Sequence, residues 1–216
     1  MNQKEIAFMG RITAGLSHEI NNVLAIIKES AGLMDDIIKR CPENAVPHQD
    51  RLINAAANVR KQVDRGVGIV SGLNRFAHSM DEPWAQVDLN ELTARIVFLM
   101  QRFGRKRRMT LKAAPHFEPL MIQTDPFRLQ MHLADALDFC LERSNEGSTL
   151  ILQARLVDGR PAVWIGFDPD LSPTIFAAKE SFSGDFPIRQ SDLEYLKADI
   201  FDVGKDALPG LLIEFN

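Results

Sequence analysis

Between Met9 and Ile37, positions 9, 13, 16, 20, 23, 27, 30, 34 and 37 follow one another in alternating steps of four and three. They hold Met9, Thr13, Leu16, Ile20, Val23, Ile27, Ser30, Met34 and Ile37, seven apolar residues among nine. A heptad seam this narrow is buried only against another helix, so it predicts a helix that needs partners. The stretch CPENAVPHQ, from Cys41 to Gln49, carries two prolines and breaks that helix. A second seam follows at Leu52, Ala56, Val59, Val63, Gly66, Val70, Leu73 and Ala77. The two seams predict an antiparallel helical hairpin over residues 1–80. Two such helices enclose no core alone, so the expectation is a homodimer in which two hairpins form a four-helix bundle. Packing of the seams on the rest of the same chain is the alternative.

The remaining residues, 81–216, read differently. VDLNEL places Asp88 or Asn90 as the N-cap of a further helix. MTLKA reads as a strand, and TDPFRLQMHLADALDFCLERS as a helix begun near Asp125 and Pro126. STLILQARLVDGRPAVWIGFD reads as a hairpin turning at Asp158 and Gly159, and PGLLIEFN as a last strand. Helices mixed with an antiparallel sheet predict a small α/β sandwich, making the whole chain α+β.

At 216 residues there is room for one large domain or two small ones. The composition, 45% hydrophobic and 25% charged, suits a soluble core and excludes wholesale disorder. A net charge of −4 argues against general affinity for nucleic acid or anionic membrane. The run RFGRKRR, Arg102 to Arg108, is the local exception and reads as a solvated helix end. No apolar stretch is long enough to span a membrane, and MNQKEIAFMG lacks signal-peptide order, so a cytoplasmic location is expected. Cys41 and Cys140 have no CxxC spacing and read as reduced, incidental thiols.

The stretch AGLSHEINNVLAII sets His18, Glu19, Asn21 and Asn22 within the first seam helix. His18 lies two residues from both Leu16 and Ile20, about 200° round the helix from either, and so faces solvent. Asn22 stands one turn further on the same outer face, with Glu19 next door. A zinc-protease reading of HEINN fails, because the second histidine of HExxH is Asn22 here. On spacing alone, exposed polar residues without function remain the alternative.

GRITAGLSHEINNVLAII resembles the H-box of sensor histidine kinases, H-E-x-x-N-P-L, on the first helix of a dimeric hairpin. VDLNEL resembles the segment that leads into the kinases' ATP-binding domain. The resemblance implies that His18 is the phospho-acceptor and Glu19 its acid/base neighbour, able to hold the other ring N–H. Asn22 is then the residue that positions water for dephosphorylating a partner. Val23 stands where the family has proline, which bends this helix.

The second domain departs from the family at every nucleotide box. The N-box helix should offer two asparagines four apart, and the matching positions are Asp135 and Phe139. Phenylalanine has no oxygen for a magnesium ion. Asp168 matches the adenine-binding aspartate, but DPDLSP lacks both glycines that should follow it, and Gly184 stands alone where a phosphate lid is expected. The reading is a degenerate kinase-like domain with no cofactor of its own. The expected function is a histidine phosphotransferase of a two-component phosphorelay, passing phosphate between His18 and receiver-domain aspartates, with Mg²⁺ brought by the receiver. The alternatives are a non-catalytic pseudokinase scaffold for a receiver or kinase, and an active sensor kinase.

Overall fold

The computed structural model describes residues 2–40, 48–167, 180–181, 188–202 and 211–215. Helices α1 (Gln3–Lys39) and α2 (Gln49–His78) are followed by β1 (Ala85–Asp88), α3 (Leu89–Lys106), β2 (Thr110–Ala114), β3 (Met121–Thr124) and α4 (Pro126–Glu142). Then come β4 (Thr149–Val157), β5 (Arg160–Gly166), β6 (Glu180–Ser181), α5 (Gln190–Leu196), β7 (Ala198–Asp202) and β8 (Leu211–Phe215). The architecture is mixed α+β, helical first and sheet-based after. It forms two compact units, Met9–Arg75, and Met1–Phe8 with Phe76–Asn216.

In the first unit α1 and α2 run antiparallel. Arg65 reaches Glu19 and Asn58 Nδ2 donates to Ser30 Oγ at 2.9 Å, so the α2 partner falls from 65 to 58 as the α1 position rises from 19 to 30, with Gly66 against Val23 between them. The approach at Gly66 is close: a Cβ there would lie 3.3 Å from Val23 Cγ1. The buried stripe follows the seam only in part. It takes in the seam residues Leu16, Val23, Ser30 and Ile37, but Ile12 and Glu19 are buried off the seam while Thr13 is exposed. On α2, Gln62 and Ile69 are buried while Val63 and Val70 are exposed. The buried row of α2, Ala55, Gln62, Ile69 and Phe76, keeps a seven-residue repeat, one position before the expected seam.

In the second unit, sequence caps set the helix starts. Asp88 Oδ1 accepts from Asn90 N at 2.9 Å, and Asp125 Oδ1 accepts from Arg128 N at 2.9 Å ahead of Pro126. The β4–β5 hairpin turns at Asp158 (φ 51°) and Gly159 (φ 79°), both left-handed as a two-residue type I′ turn requires. Among the described residues the larger sheet has the order β2-β4-β5-β8-β7-β6, and β1 pairs with β3 separately. The sheet is not wholly antiparallel as the sequence suggested. β2 pairs parallel with β4, because the chain between them crosses over through β3 and α4. Helices α3 and α4 cover one sheet face, while Ile151, Ala162, Trp164 and Leu212 form a buried cluster on the other.

The first turns of α1 belong to this second unit because their side chains pack there. Phe8, Phe76 and Phe127 meet with ring centroids 5.5–5.8 Å apart. The boundary expected near residue 80 marks a change of sequence pattern, whereas the compact units divide after Phe8 and after Arg75.

Candidate functional site

In the hairpin unit His18 and Asn22 are both exposed, one helical turn apart, with Asn22 Nδ2 3.2 Å from His18 Nδ1. Glu19 is turned the other way. One residue is about 100° of helix, enough to carry its carboxylate to the buried face, where it pairs with Arg65 Nη2 of α2. The ring partner that the structure supplies to His18 is therefore Asn22, while the acid expected beside the imidazole holds the two helices together. Arg65 was not legible as a site residue: it pairs with Glu19 across 46 positions, and only the register of the hairpin brings them together.

The second unit carries Asp135 and Phe139, the positions expected to be degenerate. Asp135 Oδ2 lies 3.0 Å from Lys4 Nζ, and Arg128 Nε lies 2.9 Å from Glu5 Oε1. The first turn of α1 is stiffened for this by a reciprocal cap: Glu5 N donates to Asn2 Oδ1 at 3.0 Å, and Asn2 N to Glu5 Oε2 at 2.8 Å. Arg128 also stacks 4.3 Å from the Tyr195 ring, and Tyr195 Oη donates to Asp125 Oδ2 at 3.2 Å. Thus ion pairs from α1 and an aromatic from α5 meet the face of α4 that carries Asp125, Arg128 and Asp135. Phe139 is half-buried, with the Arg143 guanidinium 3.6 Å above its ring. Asp168 and Gly184 lie outside the described residues.

His132, on the same helix, is buried, and its Nδ1 is 3.8 Å from Asp135 Oδ2, beyond hydrogen-bond reach. Burial first, and then the Lys4 ammonium, lower its pKa from the ordinary 6.5 to about 4, so it is neutral at pH 7. The basic stretch closes α3, where Arg107 and Arg108 pair with Glu142 and Glu146, each at 3.1 Å. Cys140 is a buried free thiol, and Cys41 lies outside the described residues. Among the described residues no three His, Cys, Asp or Glu side chains gather as a metal site, and no helix is long and apolar enough to cross a membrane.

No family model matches the sequence. Comparison with curated proteins finds sensor histidine kinases. The sensor histidine kinase ZraS of Klebsiella oxytoca is 28% identical over 162 residues, 74% of this chain and 33% of that protein. The sensor histidine kinase ZraS of Escherichia coli K12 is 31% identical over 130 residues, 60% of this chain and 26% of that protein. The chain thus spans about a third or less of the length of the curated relatives it matches. Among solved structures, the Acinetobacter baumannii histidine kinase AdeS aligns with a TM-score of 0.47 at 12% identity, over 92% of this chain and 97% of that one.

Proposed function

We propose, from the premise that this chain is a relative of the sensor histidine kinases, that His18 is a relay point for phosphate. It takes a phosphoryl group from the aspartyl phosphate of a response-regulator receiver domain and passes it on, without autophosphorylation from ATP. The observation that supports this is a contrast between two helices. On α1 the imidazole is exposed and held by Asn22, whereas on α4 the N-box positions are occupied from within the chain.

A magnesium nucleotide requires oxygen ligands in open positions. Phe139 offers a ring face covered by Arg143, and Asp135 is paired with Lys4. These residues do not fit the group. Magnesium for the transfer comes with the receiver's own acidic pocket. What this chain contributes is an imidazole on an open helix face, so catalysis rests on positioning the ring in line with the phosphoryl group. The Glu19–Arg65 pair fixes the register of α1 against α2 behind it. The same reading places the protein in the cytoplasm. It also makes the protein a homodimer, since Leu24, Val63, Val67 and Val70 leave apolar surface exposed on the hairpin.

Calorimetric titration with magnesium ATP is expected to give no binding heat, and γ-labelled ATP to leave the chain unlabelled. Saturable binding with label on His18 would instead make the protein a kinase. A receiver complex that His18→Ala leaves intact, and that moves no phosphate, would make it a scaffold.

A further inference from the structure

We propose that Asn22 is the positioning residue that sets the tautomer of His18 and so decides which ring nitrogen takes the phosphoryl group. The inference rests on the phosphotransfer reading above, but its geometry is local to the hairpin. Asn22 Nδ2 lies 3.2 Å from His18 Nδ1, and both side chains are on the outer face of α1. The Glu19 carboxylate, a natural candidate to hold the ring, is turned inward onto Arg65.

A carboxamide nitrogen only donates, so with Nδ2 facing the ring, Nδ1 accepts and the neutral imidazole keeps its proton on Nε2. In that arrangement neither nitrogen is a free nucleophile: one lone pair is engaged and the other nitrogen is protonated. Turning the carboxamide by half a revolution presents Oδ1 instead, and the two ends have nearly the same shape. Oδ1 accepts from Nδ1–H, and the outer nitrogen, Nε2, then carries the free lone pair. Asn22 thereby holds a resting form and an armed form that differ by one side-chain rotation and by one proton, given up to solvent at Nε2 and taken from solvent at Nδ1.

In the armed form the Nε2 lone pair attacks the phosphorus of the receiver's acyl phosphate. The N–P bond forms, the P–O bond to the aspartate breaks, and the aspartate leaves as a carboxylate with that electron pair. The ring retains the Nδ1 proton and becomes a cationic phosphoimidazolium, whose N–H still donates to Asn22 Oδ1, so atoms and charge balance without another reactant. An alanine at 22 removes both hydrogen-bond senses, and an aspartate of the same size can only accept.

The test is ¹⁵N NMR of the full chain labelled at histidine, with the His18 signals identified by their loss in His18→Ala. At a pH where the ring is neutral, wild type is expected to show the Nε2–H tautomer, Asn22→Asp the Nδ1–H tautomer, and Asn22→Ala a mixture. Each protein is then treated with phosphoramidate, a small phosphoryl donor, and the product isomer is read by ³¹P NMR. Wild type and Asn22→Asp are expected to carry phosphate on Nε2, and Asn22→Ala to raise the Nδ1 share several-fold. Unchanged tautomer and isomer ratios across the three proteins overturn the proposal. A tautomer that depends on Asn22, in a chain that takes no phosphate from any phosphorylated receiver, sinks the relay reading and leaves this inference standing.

Discussion

His18 sits on a helix whose opposite face is buried, and its environment is defined by which neighbour turns toward it. Asn22, four residues on, shares its face, whereas Glu19, one residue on, does not. The helical period alone makes the first relation legible in the sequence. The second depended on where α2 would place Arg65, which no local pattern records. The Glu19 carboxylate is buried and carries that guanidinium, so removing one partner strands a charge. Arg65→Ala is expected to destabilise the protein by about 1–3 kcal/mol in urea unfolding. The double replacement of Glu19 and Arg65 by leucine should recover most of that loss. An Arg65→Ala protein as stable as wild type would mean that the pair holds nothing together.

Helix α4 carries the positions on which the proposed loss of ATP binding rests, and part of that proposal was visible beforehand. Phe139, at a position where the resemblance implies a metal ligand, is a single-residue observation. What occupies the rest of the helix face was not legible, because Lys4 and Glu5 come from the far end of the sequence and Tyr195 from a short helix with no strong periodicity. Two outcomes belong to this element. His132 has a folded pKa near 4 and an ordinary value of 6.5, so the unfolded chain binds the extra proton between them. Stability is therefore fully present above about pH 6.5 and falls as pH drops toward 4, by at most about 3 kcal/mol. Urea midpoints measured from pH 7 to pH 4 should show this fall, and His132→Leu should flatten its contribution. Phe76→Ala removes a fully buried ring from the Phe8–Phe76–Phe127 cluster and is expected to cost about 3–5 kcal/mol. A loss below 1 kcal/mol would show that the cluster does not anchor the first turns of α1.

For the whole molecule, the seams of α1 and α2 announced the hairpin, and caps at Asp88 and Asp125 announced the start of two later helices. The sheet order was not legible. β2 pairs with β4 across a crossover, and β7 lies between β8 and β6. The phase of the buried stripe on α2 matters at this scale, because it leaves Val63 and Val70 exposed beside Val67. If a second hairpin covers them, the protein sediments at twice the 24.3 kDa chain mass, and Val67→Asp shifts it toward the monomer. A monomeric wild type would contradict the four-helix bundle. Transfer of phosphate to His18 from a receiver, and not from ATP, is read by mixing a ³²P-labelled phospho-receiver with the protein in the absence of nucleotide. Acid-labile, base-stable label is expected on wild type and none on His18→Ala. Label that stays on the receiver, or that reaches both proteins equally, would contradict it.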